Sequence, residues 1–370
     1  MSTIYTDIPA AVVDDDGALV HVGNPAAEQR ALAAGGAVAP LDDRRVLAVA
    51  GEDRLSWLDS LTSQSLKTLA PGESTETLVL DPRGHIEHAA AVLDDGETTW
   101  LITDLADADG LLTWLTRMRF RLRVDLRDAS DEFAVVGGTP DALAVVAAAA
   151  PAGMPLVWRD PWPGVGIGGH GYAEIDVHPG AERAWAEAIV TRAELGSLVE
   201  RAASGEIALA GRDAAEALRI AAWRPRRALD VDDRALPHEL DWLRTAVHLD
   251  KGCYRGQETV AKVHNLGHPP RRVVALQLDG SGSVLPEPGA AVRAGETEVG
   301  AITSIARHFE QGPIALALVR RTTPVDAELT VDTADGPVAA AQEVIVPPDA
   351  GATAGVPRMP RLSRRSASSA

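Results

Sequence analysis

The chain holds a single cysteine, Cys253, in 370 residues. One thiol excludes an internal disulfide and cannot supply the four thiolates that usually hold an iron–sulfur cluster. Cluster chemistry would therefore take place on a partner or across a shared interface. No window approaches eighteen uninterrupted apolar residues, so no membrane-spanning helix is expected. Positive charge is scarce as well: 35 Lys and Arg stand against 53 Asp and Glu, a formal net charge of −18. That balance argues against gripping nucleic acid over the whole surface and leaves room only for a local basic patch. The opening stretch, MSTIYTDIPAAVVDDDG, has no basic segment followed by an apolar one, and a cytoplasmic location is expected. No P-loop glycine pattern and no Gly-x-Ser-x-Gly elbow occur.

What is present reads as an ordinary globular protein, 46% apolar and 24% charged, long enough for one large core or two to three domains. Residues 1–40 read as an irregular arm with one short helix around Pro25–Ala34. Arg45–Ala50 reads as a strand, followed by a helix carrying Leu55, Leu58 and Leu61. Strands Thr75–Leu80 and Gly84–Leu93 are joined by Asp81-Pro82-Arg83-Gly84, with Pro and Gly where a tight turn wants them. Thr98–Thr103 continues the sheet, and Leu111, Trp114, Leu115 and Met118 make one helical stripe. Arg117, Arg119, Arg121 and Arg123 alternate with apolar residues. As a strand they would project four guanidinium groups from one face, either a solvated edge or an anion-binding face for a polyglutamate tail, phosphate or RNA. Glu132–Val136 reads as a strand and Asp141–Ala150 as a helix. Pro179 is placed to open a helix containing Trp185, Ala188 and Ile189, and Gly211 opens another that runs to Trp223. Six short strands between Arg272 and Val346, broken by Gly, Pro and Asp turns, predict a small antiparallel barrel. The basic Pro/Ala/Ser/Arg segment from Pro347 reads as a disordered tail. Strands interleaved with helices in this order predict an α+β fold rather than a doubly wound sheet.

Chemistry concentrates in Asp250–His268, DKGCYRGQETVAKVHNLGH. A lone intracellular cysteine is ordinarily a small buried hydrophobe. Here it stands between Lys251 and Arg255, which favour the reactive thiolate, and between Gly252 and Gly256, which permit a tight loop. Gln257 and Glu258 add amide and carboxylate partners. Metal constellations are weak. His264 and His268 are four apart with Asn265-Leu266-Gly267 reading as loop between them, and His85 and His88 would lie on opposite faces of a strand.

Lys251-Gly252-Cys253-Tyr254-Arg255-Gly256-Gln257-Glu258 resembles the K-G-C-Y-x-G-Q-E signature of the YgfZ family, folate-binding proteins built like the T-protein (aminomethyltransferase) of the glycine cleavage system. Leu47–Ser63, LDPRGHIEH at Leu80–His88, AGRDAAEALRI at Ala210–Ile220 and Leu236-Pro237-His238-Glu239 extend the likeness over about residues 40–340. The resemblance implies a T-protein folate-binding α+β fold over residues 41–268, as two pseudo-repeated subdomains, with the antiparallel β-barrel at 269–346 and the tail at 347–370. It implies tetrahydrofolate or a one-carbon derivative as cofactor, and a role in assembly or repair of iron–sulfur enzymes or cluster carriers, including tRNA-modifying ones. Cys253 and Lys251 would be the working pair. Tyr254, Arg255, Gly256, Gln257, Glu258, Glu87 and Trp223 would serve the loop and the folate. The chain also departs from the T-protein pattern. No aspartate stands near Glu87–His88, and Arg219-Ile220-Ala221 replaces R-L-E, so the pteridine-binding glutamate is Ala221. These losses speak against the alternative activity, tetrahydrofolate-dependent aminomethyl transfer or demethylation.

Overall fold

The computed structural model describes residues 4–280 and 285–355. The N-terminal segment is more regular than an arm. It forms a hairpin of β1 (Ala11–Val13) and β2 (Leu19–Val22), helix α1 (Pro25–Ala33) capped by Asn24, and the short β3 (Ala39–Pro40). Then come β4 (Arg44–Ala50), α2 (Arg54–Leu61), β5 (Ser74–Leu80), β6 (Ile86–Asp94), β7 (Thr98–Asp104), α3 (Leu105–Met118) and β8 (Asp125–Asp128). These build an antiparallel five-stranded sheet, ordered β5-β6-β7-β4-β8. The β5–β6 turn closes as its residues dictate. The Asp81 carboxylate accepts the N–H groups of Arg83 and His85, and Gly84 adopts φ +83°.

A second sheet combines β3 with β9 (Phe133–Gly138), β10 (Val157–Arg159) and β11 (Ala186–Thr191), ordered β10-β11-β9-β3. It is covered by α4 (Arg192–Ala203), whose Leu195, Leu198 and Val199 are buried. Helix α5 (Arg212–Ala221) touches α1, β3 and the barrel, so it ties the sheets to the C-terminal region. After it come α6 (Arg227–Asp230) and α7 (Gln257–Leu266). The barrel closes as β12 (Arg271–Leu278), β15 (Gly312–Arg320), β14 (Thr297–His308), β13 (Ala291–Ala294), β16 (Leu329–Val331) and β17 (Val338–Val344). The predicted barrel and the α+β content are both present.

Four expectations are corrected. Arg117 lies in the last turn of α3, and Arg119–Arg123 form a turn rather than a strand, so the four arginines do not alternate along one strand face. Phe120 there is 83% exposed and takes φ +46°, a backbone angle that no strand allows. Arg123 pairs with Glu52 and Asp53. Asp141–Ala150 holds only a 3-10 turn at Ala142–Val145, and the helix from Pro179 ends at Glu182. Ala188 and Ile189 belong to β11 with Trp185 just before it, because their apolar run is buried on both faces. Finally, the tail is fixed as far as 355. The Arg321 Nη1 donates to the Pro348 carbonyl, Thr353 donates to His264, and Ala350 is buried; residues 356–370 lie outside the described ones.

Candidate functional site

The motif forms a braced loop running into α7. Gly256 takes φ +85°, and a Cβ there would lie 2.6 Å from the Asp81 carbonyl oxygen, so only glycine lets the loop seat on the β5–β6 turn. Gln257 Nε2 donates to the Lys251 carbonyl at 3.1 Å, closing the loop. The Lys251 side chain is 3% exposed, and its Nζ donates to the carbonyls of Asp59, Thr62 and Gln64 at 2.6, 2.9 and 2.6 Å. An ammonium has three N–H groups, and all three are used at the C-terminal end of α2, where the helix dipole favours a cation. Burial lowers the Lys251 pKa from the ordinary lysine value, opposed by Asp59 at 3.4 Å. Arg255 forms a two-pronged ion pair with Glu87, at 2.6 and 3.3 Å. Both cations that flank the thiol are thus engaged with other groups, while Cys253 itself is exposed.

The remaining sequence-predicted residues divide. Glu87 joins the loop through Arg255, and its backbone carbonyl accepts two N–H groups of Arg227, at 3.1 and 2.9 Å. Tyr254 is buried in the core with Trp162, Tyr172 and Trp223. Glu258 is exposed in the first turn of α7. Trp223 is buried in that same core, edge-on to His178 at 5.5 Å, and sits at φ +58° where α5 terminates. A left-handed cap normally falls to glycine, so a tryptophan there is held against backbone strain by its packing. His264 lies on α7, but His268 is past its end and bonds the Ala350 carbonyl at 2.9 Å. No metal-holding group of His, Cys, Asp or Glu exists among the described residues.

Between the two sheets and the segment after α5 lies a cavity of about 80 Å³, which the motif did not reveal. Six arginines, four carboxylates and three tryptophans (Trp158, Trp185, Trp242) line it. Arg224 pairs with Glu76 at 2.6 Å and with Asp160 at 3.2 Å, and Arg183 pairs with Asp160 at 2.9 Å. Arg226 pairs with Asp104 at 2.7 Å. The Glu187 Oε1 accepts from Trp185 Nε1 at 3.2 Å, and no hydrogen bond among the described residues reaches its Oε2. Arg227 lines the cavity and grips Glu87, so the cavity wall connects to the cysteine loop through Arg227, Glu87 and Arg255. Ala221 lines a different space, about 210 Å³, with Phe309, Leu218 and Trp185. The residues of the central cavity come from positions 44 to 242, and no local pattern joins them. The one signal was Trp223-Arg224-Pro225-Arg226-Arg227, a cationic run directly behind a buried helix.

The carboxylate beside the β5–β6 hairpin is supplied by α3. Asp107 contacts His88 Nδ1 at 2.6 Å, accepts the Ala89 N–H at 3.3 Å and stands 3.5 Å from Arg227.

Residues 271–348 match the family model of the glycine cleavage T-protein C-terminal barrel domain. Among solved structures, the chain is similar to the glycine cleavage system aminomethyltransferase T from Bartonella henselae. The identity is 16% and the TM-score 0.69, over 90% of this chain and 92% of that one. At that identity the likeness establishes the fold: this chain has the T-protein fold with its terminal barrel. A heterotetrameric sarcosine oxidase from Corynebacterium sp. U-96 aligns at 15% identity over 49% of this chain and 94% of that one, with a TM-score of 0.25 that carries no argument. No curated protein matches the sequence.

Proposed function

We propose that this protein binds a reduced folate in the central cavity and presents the Cys253 thiol to a client, as an accessory factor for iron–sulfur enzymes rather than as an aminomethyltransferase. The observation that carries the reading is the loop. Four braces, from Lys251, Arg255, Gly256 and Gln257, hold it, yet its one sulfur faces outward. A core cysteine needs no such support, and a thiol offered to another molecule does. The iron–sulfur assignment comes with the resemblance of Lys251–Glu258 to the YgfZ signature; the folate comes with the T-protein fold.

Trp158, Trp185 and Trp242 line the cavity, with Arg183 stacked on the Trp185 ring, and the Glu187 Oε2 offers an acceptor for the paired donors of a pteridine edge, which Ala221 cannot provide. Bound folate would supply a one-carbon carrier. The chain's own residues would orient the ring, while Arg227 and Glu87 tie that wall to the cysteine loop.

Two measurements test this. Calorimetry with tetrahydrofolate should give saturable binding to the wild-type chain that weakens in Glu187→Gln. In a strain lacking the protein, Cys253→Ser should fold normally yet fail to restore iron–sulfur enzyme activity; full restoration by the serine variant defeats the thiol assignment. A second reading, folate-dependent aminomethyl transfer, is favoured by Asp107, a buried carboxylate beside the hairpin. It requires turnover of a methylamine donor with tetrahydrofolate, and absence of product removes it.

A further inference from the structure

An isolated exposed aliphatic side chain is ordinary on a protein surface and by itself points to nothing. The turn at Gly166–Gly169 differs in how firmly it is held. The Gly169 N–H donates to the Gly166 carbonyl at 2.9 Å, which puts Ile167 and Gly168 at the two corners. Gly168 takes φ +71°, as the second corner of a type II turn requires, and a Cβ there would lie 2.4 Å from His248 Nδ1. Three further backbone bonds tie the turn to the segment that leads into the cysteine loop. The Gly166 N–H donates to the Arg244 carbonyl at 2.8 Å and the His170 N–H to that of Leu243 at 3.1 Å. In return the Leu249 N–H donates to the Gly168 carbonyl at 2.8 Å. At the tip Ile167 is 90% exposed, more than any other large apolar side chain among the described residues, and Val165 is 53% exposed.

The same contacts set the turn beside the thiol. The His248 ring lies against Gly168, and its Nδ1 accepts the Asp250 N–H at 3.2 Å. Asp250, Gly252 and Cys253 are all exposed. With chain steps of about 3.8 Å, Ile167 and Cys253 stand no more than about 25 Å apart. A partner that buries the usual ~800 Å² of this surface covers a patch roughly 30 Å across, so one footprint takes in both.

Size and charge narrow the occupant. Val165 and Ile167 leave roughly 250 Å² of apolar surface in water, well short of what each subunit of a lasting dimer buries. The charge where turn and loop join is negative, because Asp250 is exposed while Lys251 is turned in on α2. A chain of net charge −18 is also repelled by an anionic lipid leaflet. Both facts favour a protein that comes and goes. A side chain already fixed by its turn loses little freedom on docking, which lets a small contact count.

We propose that Ile167, flanked by Val165, is the anchor on which the client of the Cys253 thiol docks, entering an apolar cleft of that protein whose lysine- or arginine-bearing rim meets Asp250. This docking role rests on the accessory-factor reading and names the surface through which it acts.

The test uses a strain lacking the protein, with each full-length variant expressed at the wild-type level and iron–sulfur enzyme activity as the readout. Ile167→Ser should restore less than about a fifth of the wild-type activity, the loss expected of an interface anchor, and Ile167→Leu most of it. Asp250→Lys, which opposes a basic rim, should fall by about twofold or more. In purified Ile167→Ser the urea midpoint and the rate of Cys253 labelling by a small disulfide reagent should match wild type, since a side chain 90% in water packs on little of its own fold. Wild-type restoration by Ile167→Ser or by Asp250→Lys, or equal failure of Ile167→Leu, overturns the proposal. So does an Ile167-dependent dimer in sedimentation, which would make a second copy the occupant. Ile167-dependent flotation with phosphatidylcholine–phosphatidylserine vesicles would make it a membrane and overturn the proposal too. Cys253→Ser in the same strain keeps two failures apart. Full restoration by it defeats the thiol assignment whatever Ile167 does, and its failure beside a fully active Ile167→Ser removes the docking surface alone.

Discussion

Lys251→Met separates two accounts of the cysteine loop. In the sequence the ammonium stands two residues from the thiol and reads as its activator; in the fold its three N–H groups close on the carbonyls of Asp59, Thr62 and Gln64. Methionine keeps the buried aliphatic stem and removes the charge, leaving three carbonyls at the end of α2 without their shared donor. Each hydrogen bond to a charged group contributes roughly 1.5 kcal/mol or more, which sums to about 5 kcal/mol. Part of that is offset, because wild type must desolvate the ammonium, as its lowered pKa shows. The expected net loss is about 3 kcal/mol, read as a lower urea midpoint with an unchanged slope. The rate of Cys253 labelling by a neutral disulfide reagent at pH 7 should stay within about threefold of wild type, since the charge that is lost was committed elsewhere. Unchanged stability together with a labelling rate that falls by an order of magnitude would refute this account and return the lysine to the thiol.

Other consequences are as direct. Gly256→Ala places a Cβ 2.6 Å from the Asp81 carbonyl oxygen at φ +85° and should cost about 2–3 kcal/mol, measured by urea unfolding; a neutral substitution would mean the loop seats differently. The pH dependence has two windows of opposite sign. Glu216 is brought down from 4.5 to about 2, Arg219 and Arg226 outweighing burial, so its stabilisation is full above pH 4.5 and is lost as pH falls toward 2. That is about 3 kcal/mol, which Glu216→Gln should remove from the acid limb of the stability profile. Asp241 is raised from 3.8 to about 6 by burial, against the pull of Arg244, so it binds its proton more tightly when folded and costs stability as pH rises from 3.8 to 6. Asp241→Asn should flatten that window; a profile unchanged by either variant contradicts the assignments.

Much of the fold was legible because its signals are local. The β5–β6 turn is written in Asp81-Pro82-Arg83-Gly84, and the barrel strands in short apolar runs between turn residues. The errors arise where a local pattern has two physical solutions. Arg117–Val124 alternates as a strand does, but the helix stripe of Leu111 and Leu115 carries on to Met118, and burying that stripe outweighs the alternation. Trp185–Ile189 permits a helix by composition. Its register against Gly138–Val135 makes it a strand, with Gly137 leaving room for the Trp185 ring, a pairing no window of sequence contains. Helix α7 was missed because Gly256 and Gly267 punctuate Gln257–Leu266 like a loop, whereas they are its two ends.

The site shows the same limit more sharply. Spacing along the chain placed Lys251 and Arg255 beside Cys253, but a long side chain reaches about 6 Å from its own backbone, and what it meets is set by tertiary packing. Lys251 meets residues more than 180 positions away, and Arg255 meets Glu87, 168 positions away. The central arginines are likewise beyond anything a motif can encode, since Arg224 bonds Glu76 across 148 positions. Breaking one member of such a buried network leaves its partner charged and unpaired, so these residues constrain one another more tightly than any exposed loop does. The prediction that follows concerns coupling. Glu76→Gln and Arg224→Met should each destabilise by about 3 kcal/mol. The double variant should cost much less than their sum, because it removes both charges at once. Strict additivity in a double-mutant cycle would mean that the two side chains do not meet, and the cavity they wall would have to be redrawn.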